Sequence, residues 1–241
     1  MTAAPAPERR LQLSAGLEAV RERITAACAA AGRDPAEVTL VVVTKYFPPS
    51  DVLLLHELGV RAIGENKDQE AGAKIEAVRA VLPPGSDLEL HFVGRLQSNK
   101  ARHVARYADV VHSVDREKLL AGLEAGALER GHRLSVLIQV SLDGDVSRGG
   151  ALPADVTDLA AAVADRPGLL LKGVMAVAPL DVEPDRAFGA LLEVANGLRT
   201  NHPEADWVSA GMSGDLEAAI RHGATHLRVG TAILGTRPSL L

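Results

Sequence analysis

Cysteine occurs once in 241 residues, at Cys28, which excludes an internal disulfide and any cysteine-built structural zinc site. Aromatics are limited to three Phe, two Tyr and one Trp, too few for a stacking platform for single-stranded nucleic acid. No apolar run is long enough to cross a bilayer. The start, Met1-Thr-Ala-Ala-Pro-Ala-Pro7, lacks the basic end and apolar core of a secretory signal. A cytoplasmic protein with a flexible tail over 1–10 is therefore expected. Positive charge is the minority: 26 Lys and Arg against 31 Asp and Glu, a net −5 with a pI near 5.9. Duplex DNA and anionic membranes are poor partners for such a surface, whereas a small phosphate needs only local positive potential. A Gly-x-Gly-x-x-Gly after the first strand is also missing, which argues against a Rossmann fold.

What the chain does have is apolar residues, 47% of the total, with Ala, Val and Leu prominent. Residues 11–31 read as one amphipathic helix, stopped by Gly32 and the turn Arg33-Asp34-Pro35. Cys28 falls among alanines there, as a small buried thiol. Short apolar runs then alternate with helical patterns. The strands are predicted at 38–45, 61–64, 88–94, 109–113, 134–141, 169–177, 206–209 and 225–230. Helices are predicted to begin near Ser50, Lys67, Ser98, Asp115, Pro153, Pro184 and Ser213. Eight strands in this rhythm predict a single α/β domain over 11–241, a (β/α)8 TIM barrel with an extra N-terminal helix. The turn-rich segment 141–150 reads as one βα loop.

In such barrels the working site lies at the C-terminal ends of the strands. The run Val38-Thr-Leu-Val-Val-Val-Thr-Lys45 puts Val41, Val43 and Lys45 on one face, with Leu40 and Val42 on the other. In the last strand His226 and Arg228 share a face, opposite Leu227 and Val229. With the apolar faces turned to helices, Lys45 and Arg228 point to the barrel mouth. Lys45 then has three readings: a Schiff-base amine, a snorkelling cation, or a structural partner of Glu65. Ser209-Ala-Gly-Met-Ser-Gly-Asp215 follows the seventh strand and Arg228-Val-Gly-Thr231 ends the eighth. Both sit where barrels commonly hold a phosphate; Ser213 taken singly reads more often as an N-cap, and the two turns together, with an arginine beside one, shift the balance to phosphate. An amine, a phosphate cradle and an inward arginine together suggest pyridoxal 5′-phosphate (PLP). An arginine keeps its proton and so cannot readily leave the pyridine nitrogen protonated. The ring would be a weak electron sink, suited to a racemase or a carrier. A Schiff-base aldolase acting on a sugar phosphate is a third reading.

Several blocks carry a family likeness: Val43-Thr-Lys45; Ile63-Gly-Glu-Asn66 with Gln69-Glu70; His91-Phe-Val-Gly-Arg-Leu-Gln-Ser-Asn-Lys100; Gly211-Met-Ser-Gly-Asp215; and Arg228-Val-Gly-Thr-Ala-Ile-Leu-Gly235. With these, the chain resembles the pyridoxal phosphate homeostasis proteins (the YggS/PROSC family) over almost everything after the tail. The resemblance implies a barrel like the N-terminal domain of alanine racemase, usually monomeric, holding PLP as a Schiff base. The implied role is intracellular vitamin B6 homeostasis without established catalysis, with PLP-dependent apoenzymes as potential recipients. It assigns the imine to Lys45, the phosphate to Ser213, Gly230 and Thr231, and the pyridine nitrogen to Arg228. Asn66 and Met212 would line the ring pocket. His91, inward beside Val93, would lie near the cofactor, and as a lone histidine it reads first as a hydrogen-bonded interior residue. No catalytic residue and no metal ligand are implied. The family commonly has a second lysine after the imine lysine, where this chain has Tyr46-Phe47, which puts a second capture site in doubt. Ile63 and Leu90 replace a usual phenylalanine and a common tryptophan, and affect packing.

Alanine racemases set a tyrosine from a second domain opposite their lysine. Here the sequence runs out a few residues after the last helix, and only Tyr46 and Tyr107 exist. A carbanion beside Lys45 would lack an acid on its other face. Non-catalytic PLP binding is therefore expected, with a weak amino-acid racemase as the alternative.

Overall fold

The computed structural model describes residues 7–145 and 148–236. Eight parallel strands pair in chain order and close, β1 against β8, into a barrel. They are β1 Thr39–Val43, β2 Ala62–Glu65, β3 Glu89–Phe92, β4 Val110–Val114, β5 Leu134–Gln139, β6 Leu169–Met175, β7 Trp207–Ser209 and β8 His226–Val229. The helices are α1 Pro7–Ala30, α2 Pro49–Glu57, α3 Asp68–Arg79, α4 Ala101–Ala105, α5 Leu120–Arg130, α6 Val156–Ala164, α7 Pro184–Asn201, α8 Leu216–Arg221 and α9 Thr231–Leu234. Short 3-10 turns precede α4, α5 and α6, so the helical patterns expected from Ser98, Asp115 and Pro153 tighten before they become α-helical.

Alternation divides the strands as the sequence predicts. Val42, Ile63, Leu90, Phe92, Val111, Val136, Ile138, Val174, Val208, Leu227 and Val229 belong to the large core between strands and helices. The inward faces hold a small apolar plug of Val110, Leu137 and Met175, with Trp207 packed on it. Beside this plug and the inward Val41, the interior holds a polar group, with His91, His112, Ser209, His226 and Arg228 all buried. Barrel interiors are ordinarily layers of branched aliphatics, so this polarity sets the site apart.

Helix α1 buries Leu13, Leu17, Val20, Ile24, Ala27 and Cys28, a stripe at three- and four-residue spacing. Gly16 lets it lie against α9: a Cβ there would sit 2.8 Å from the Ile233 carbonyl oxygen. Burial pushes the Cys28 thiol up, in line with a structural cysteine. The expected tail over 1–10 is too long. The chain is helical from Pro7, and Arg9 donates to Asp51 at the start of α2 (2.6 Å) and to the Leu234 carbonyl at the end of α9 (3.1 Å). Residues 1–6 lie outside the described residues, as do 146–147 in the expected βα loop.

Candidate functional site

The first strand ends two residues earlier than its pattern predicts. The Thr44 amide still donates to the Gly64 carbonyl at 2.9 Å. Its side chain turns outward, where Oγ1 donates to Glu65 Oε1 at 2.6 Å. Lys74 of α3 closes this knot, its Nζ donating to Glu65 Oε1 at 2.6 Å and to the Thr44 carbonyl at 2.8 Å. Both charged side chains are almost fully buried. Glu65 is therefore the partner of Lys74, which overturns the structural reading of Lys45 as its counter-ion. Lys45 stands exposed in the turn beyond, followed by Tyr46 at φ +71°. A positive φ is uncommon for any residue but glycine, and it sets Tyr46 aside, with Lys67 Nζ 5.0 Å above its ring.

Across the β1–β8 seam two turns converge. After β7, Gly211 at φ +90° accepts from the Arg228 amide (2.9 Å), and a Cβ there would lie 2.7 Å from that of Ala219. Asp215, not Ser213, occupies the cap of α8, and its Oδ1 accepts from the Met212 amide at 2.6 Å. Ser213 is thus free of capping duty. Its Oγ lies 3.4 Å from Thr231 Oγ1, the first residue of α9. Gly230, between β8 and α9, packs on the end of β1, where a Cβ would meet the Val43 carbonyl oxygen at 3.0 Å. The Ser213–Thr231 hydroxyl pair therefore borders the Lys45 turn. Met212 is 38% exposed beside it.

Arg228 lies beneath, 5% exposed. Its Nη1 donates to Ser209 Oγ at 2.6 Å and its Nη2 to the Ala176 carbonyl at 2.8 Å. Burial pulls its pKa down to about 10, opposed by Asp215, so it remains a cation at neutral pH. Burial, with His91 and Arg228 nearby, holds His112 well below the ordinary histidine range and lowers His226 to about 3. His226 lies against Trp207, ring centroids 4.2 Å apart. His91 is a hydrogen-bonded interior histidine, fully buried, with its Nδ1 2.8 Å from His112 Nε2.

Asn66 lines a separate recess of about 580 Å³ with Asp68, Arg95, Gln97 and Lys100, bordered by none of the β7–β8 residues. Tyr107 donates to Asp68 Oδ1 at 3.1 Å on that side, and burial and then Asp68 push its phenol up. No group of His, Cys, Asp and Glu suited to a metal occurs among the described residues, and no helix there is long and apolar enough to cross a membrane.

The alanine racemase N-terminal domain family matches residues 16–238. A pyridoxal phosphate homeostasis protein of Mycobacterium tuberculosis is 44% identical over 245 residues, covering 96% of this chain and 95% of its own. The chain belongs to the pyridoxal phosphate homeostasis family. The member from Corynebacterium glutamicum is 45% identical, covering 91% and 99% of the two chains. Among solved structures, PipY of Synechococcus elongatus with PLP bound superposes with a TM-score of 0.79 at 31% identity, covering 92% of this chain and all of that one.

For a member of this homeostasis family, the sequence motifs named the rim but not its supports. Sequence reasoning missed Lys74, although it falls on the buried stripe of α3 with Ala71, Ile75 and Val78. It also missed His112 and Ser209, whose signal is a polar residue in phase with inward Val110 and Trp207.

Proposed function

We propose that this protein is a non-catalytic PLP holder of vitamin B6 homeostasis, with the cofactor at the β1–β7–β8 corner of the mouth. When bound, PLP supplies an aldehyde that condenses with an amine. Lys45 presents that amine in the turn beyond β1, unburied and not engaged by Glu65. Ser213 and Thr231 offer two hydroxyls, and Gly230 offers a backbone surface with no side chain in the way. Arg228 offers a cation that satisfies the pyridine nitrogen without protonating it. Met212 would flank the ring. Asn66, the residue after β2, would approach the ring from the neighbouring recess that it lines. The single observation that carries this reading is the meeting of the Ser213 and Thr231 hydroxyls beside the Lys45 turn, with a buried guanidinium below.

The absence of catalysis is supported by the tyrosines. Tyr107 is held protonated against Asp68, and Tyr46 is drawn over Lys67. Neither is disposed as an acid opposite Lys45. The test is to mix the protein with PLP and then with single L-amino acids. Yellow holoprotein without D-amino-acid formation is expected. Turnover that Lys45→Ala abolishes would overturn the non-catalytic reading, and a colourless protein would favour the aldolase class.

A further inference from the structure

The barrel interior contains a line of hydrogen bonds from Arg228 to the opposite end of the barrel. Arg228 Nη1 meets Ser209 Oγ at 2.6 Å, Ser209 Oγ meets His112 Nδ1 at 2.9 Å, and His112 Nε2 meets His91 Nδ1 at 2.8 Å. His91 Nε2 then lies 3.3 Å from Glu89 Oε2. Glu89 opens β3 at the N-terminal face of the barrel and is 54% exposed there, whereas His91 and His112 are fully buried.

Each ring nitrogen and the hydroxyl could donate or accept, but the two ends cannot. A guanidinium has only donors, so Ser209 Oγ accepts from Arg228. A carboxylate has only acceptors, so His91 Nε2 carries the proton that it donates to Glu89. With both rings neutral, His91 Nδ1 must then accept, which puts the His112 proton on Nε2. His112 Nδ1 accepts in turn, and the Ser209 hydroxyl donates to it. The carboxylate end dictates this direction for neutral rings, and the guanidinium end is compatible with it at every link.

We infer that Ser209, His112, His91 and Glu89 form a one-way chain of donated hydrogen bonds that fixes Arg228 toward the cofactor. Glu89, on the far face of the barrel, is thereby a positioning residue for the site. This rests on the PLP reading above. Aligned bonds in a water-poor interior polarise one another, and the low-dielectric plug of Val110, Leu137 and Met175 shields them. The carboxylate at one end favours positive charge on the guanidinium at the other. A third imidazole, His226, packs beside the line, its ring centroid 6.1 Å from that of His91 and 6.4 Å from that of His112, but its Nδ1 faces Thr225 Oγ1 at 2.8 Å. At the lower face Arg21, Arg61 and Asp87 border the same recess as Glu89, and they set its local potential.

The test has two arms. Long-range 15N–1H correlation on the cofactor-free protein at pH 7.5 reads the tautomers directly. Both His91 and His112 are expected as the neutral Nε2–H form, and an Nδ1–H or doubly protonated ring at either position overturns the chain. The second arm compares bound-PLP absorption in Glu89→Gln, which keeps an acceptor for His91 Nε2, with Glu89→Leu, which removes it. A shift of the absorption maximum in Glu89→Leu, with the wild-type position kept in Glu89→Gln, is expected. Identical spectra in the two variants would remove the positioning role. A wild-type protein that takes up no PLP would overturn the binding reading and the positioning role with it, while the tautomers still report on the chain itself.

Discussion

Replacing Lys74 by methionine should destabilise the protein out of proportion to its position on a helix. The substitution keeps the aliphatic stem in the α3 stripe but removes the ammonium from Glu65, whose carboxylate is 1% exposed. Glu65 Oε1 would retain only the Thr44 hydroxyl, and Oε2 already has no hydrogen-bond partner among the described residues. Removing one member of a buried ion pair costs about 3–5 kcal/mol, because the charge left behind has lost its compensation. In a barrel of this size each kcal/mol lowers Tm by about 2 °C, so a fall of about 6–10 °C is expected. The assay is thermal unfolding followed by circular dichroism. The double variant Glu65→Leu/Lys74→Met removes both charges and should be more stable than the single variant, short of the wild type by about 1–3 kcal/mol for the Thr44 hydroxyl and carbonyl left without partners. A single variant as stable as the wild type, or a double variant as unstable as the single, would refute this reasoning. Lys74 also holds the Thr44 carbonyl, so Lys74→Met should slow PLP capture by Lys45 even at temperatures where it remains folded.

Stability should fall with acid well above the carboxylate range. His112 and His226 stay neutral when folded but titrate near 6.5 when unfolded. Below pH 6.5 the unfolded chain binds more protons, so stability drops by up to about 1.4 kcal/mol per pH unit for each histidine. Denaturant titrations at pH 7, 6 and 5 read this directly, and a flat profile would contradict it. Arg9→Ala should lower Tm by about 2–6 °C, since it leaves the Asp51 carboxylate, 6% exposed, without its cation. An unchanged Tm would mean that the first turn of α1 is not docked. Gly230→Val should weaken PLP binding several-fold, because a side chain there meets the Val43 carbonyl at the edge of the hydroxyl pair. Equilibrium titration against PLP checks it, and wild-type affinity would move the phosphate away from this turn.

The fold was legible because each strand carries its own signal. Runs such as Leu40-Val41-Val42-Val43 and Val136-Leu137-Ile138 are β-branched or aliphatic, short, and separated by helical periodicity. Phasing within the strands also put Arg228 inside and Leu227 outside. What sequence reasoning could not supply was partner choice over distance. Glu65 had two lysines in reach of a sequence argument, and only the docking of α3 on β2 selects Lys74. Likewise Pro7 and its neighbours read as a tail because the contacts that order Arg9 lie 42 and 225 residues away. The Ser209–His112–His91 line runs over β7, β4 and β3, and β7 meets β4 only across the interior of the closed barrel. Ser213 read as a cap from its place in the turn, but the structure gives that place to Asp215 two residues on.

The central claim is the identity of one nitrogen. PLP-saturated protein is reduced with borohydride, digested and mapped by mass spectrometry. The pyridoxyl mass should appear on the peptide containing Lys45 and should vanish in Lys45→Ala. The adduct on another lysine such as Lys67, or no adduct at all, would contradict the account.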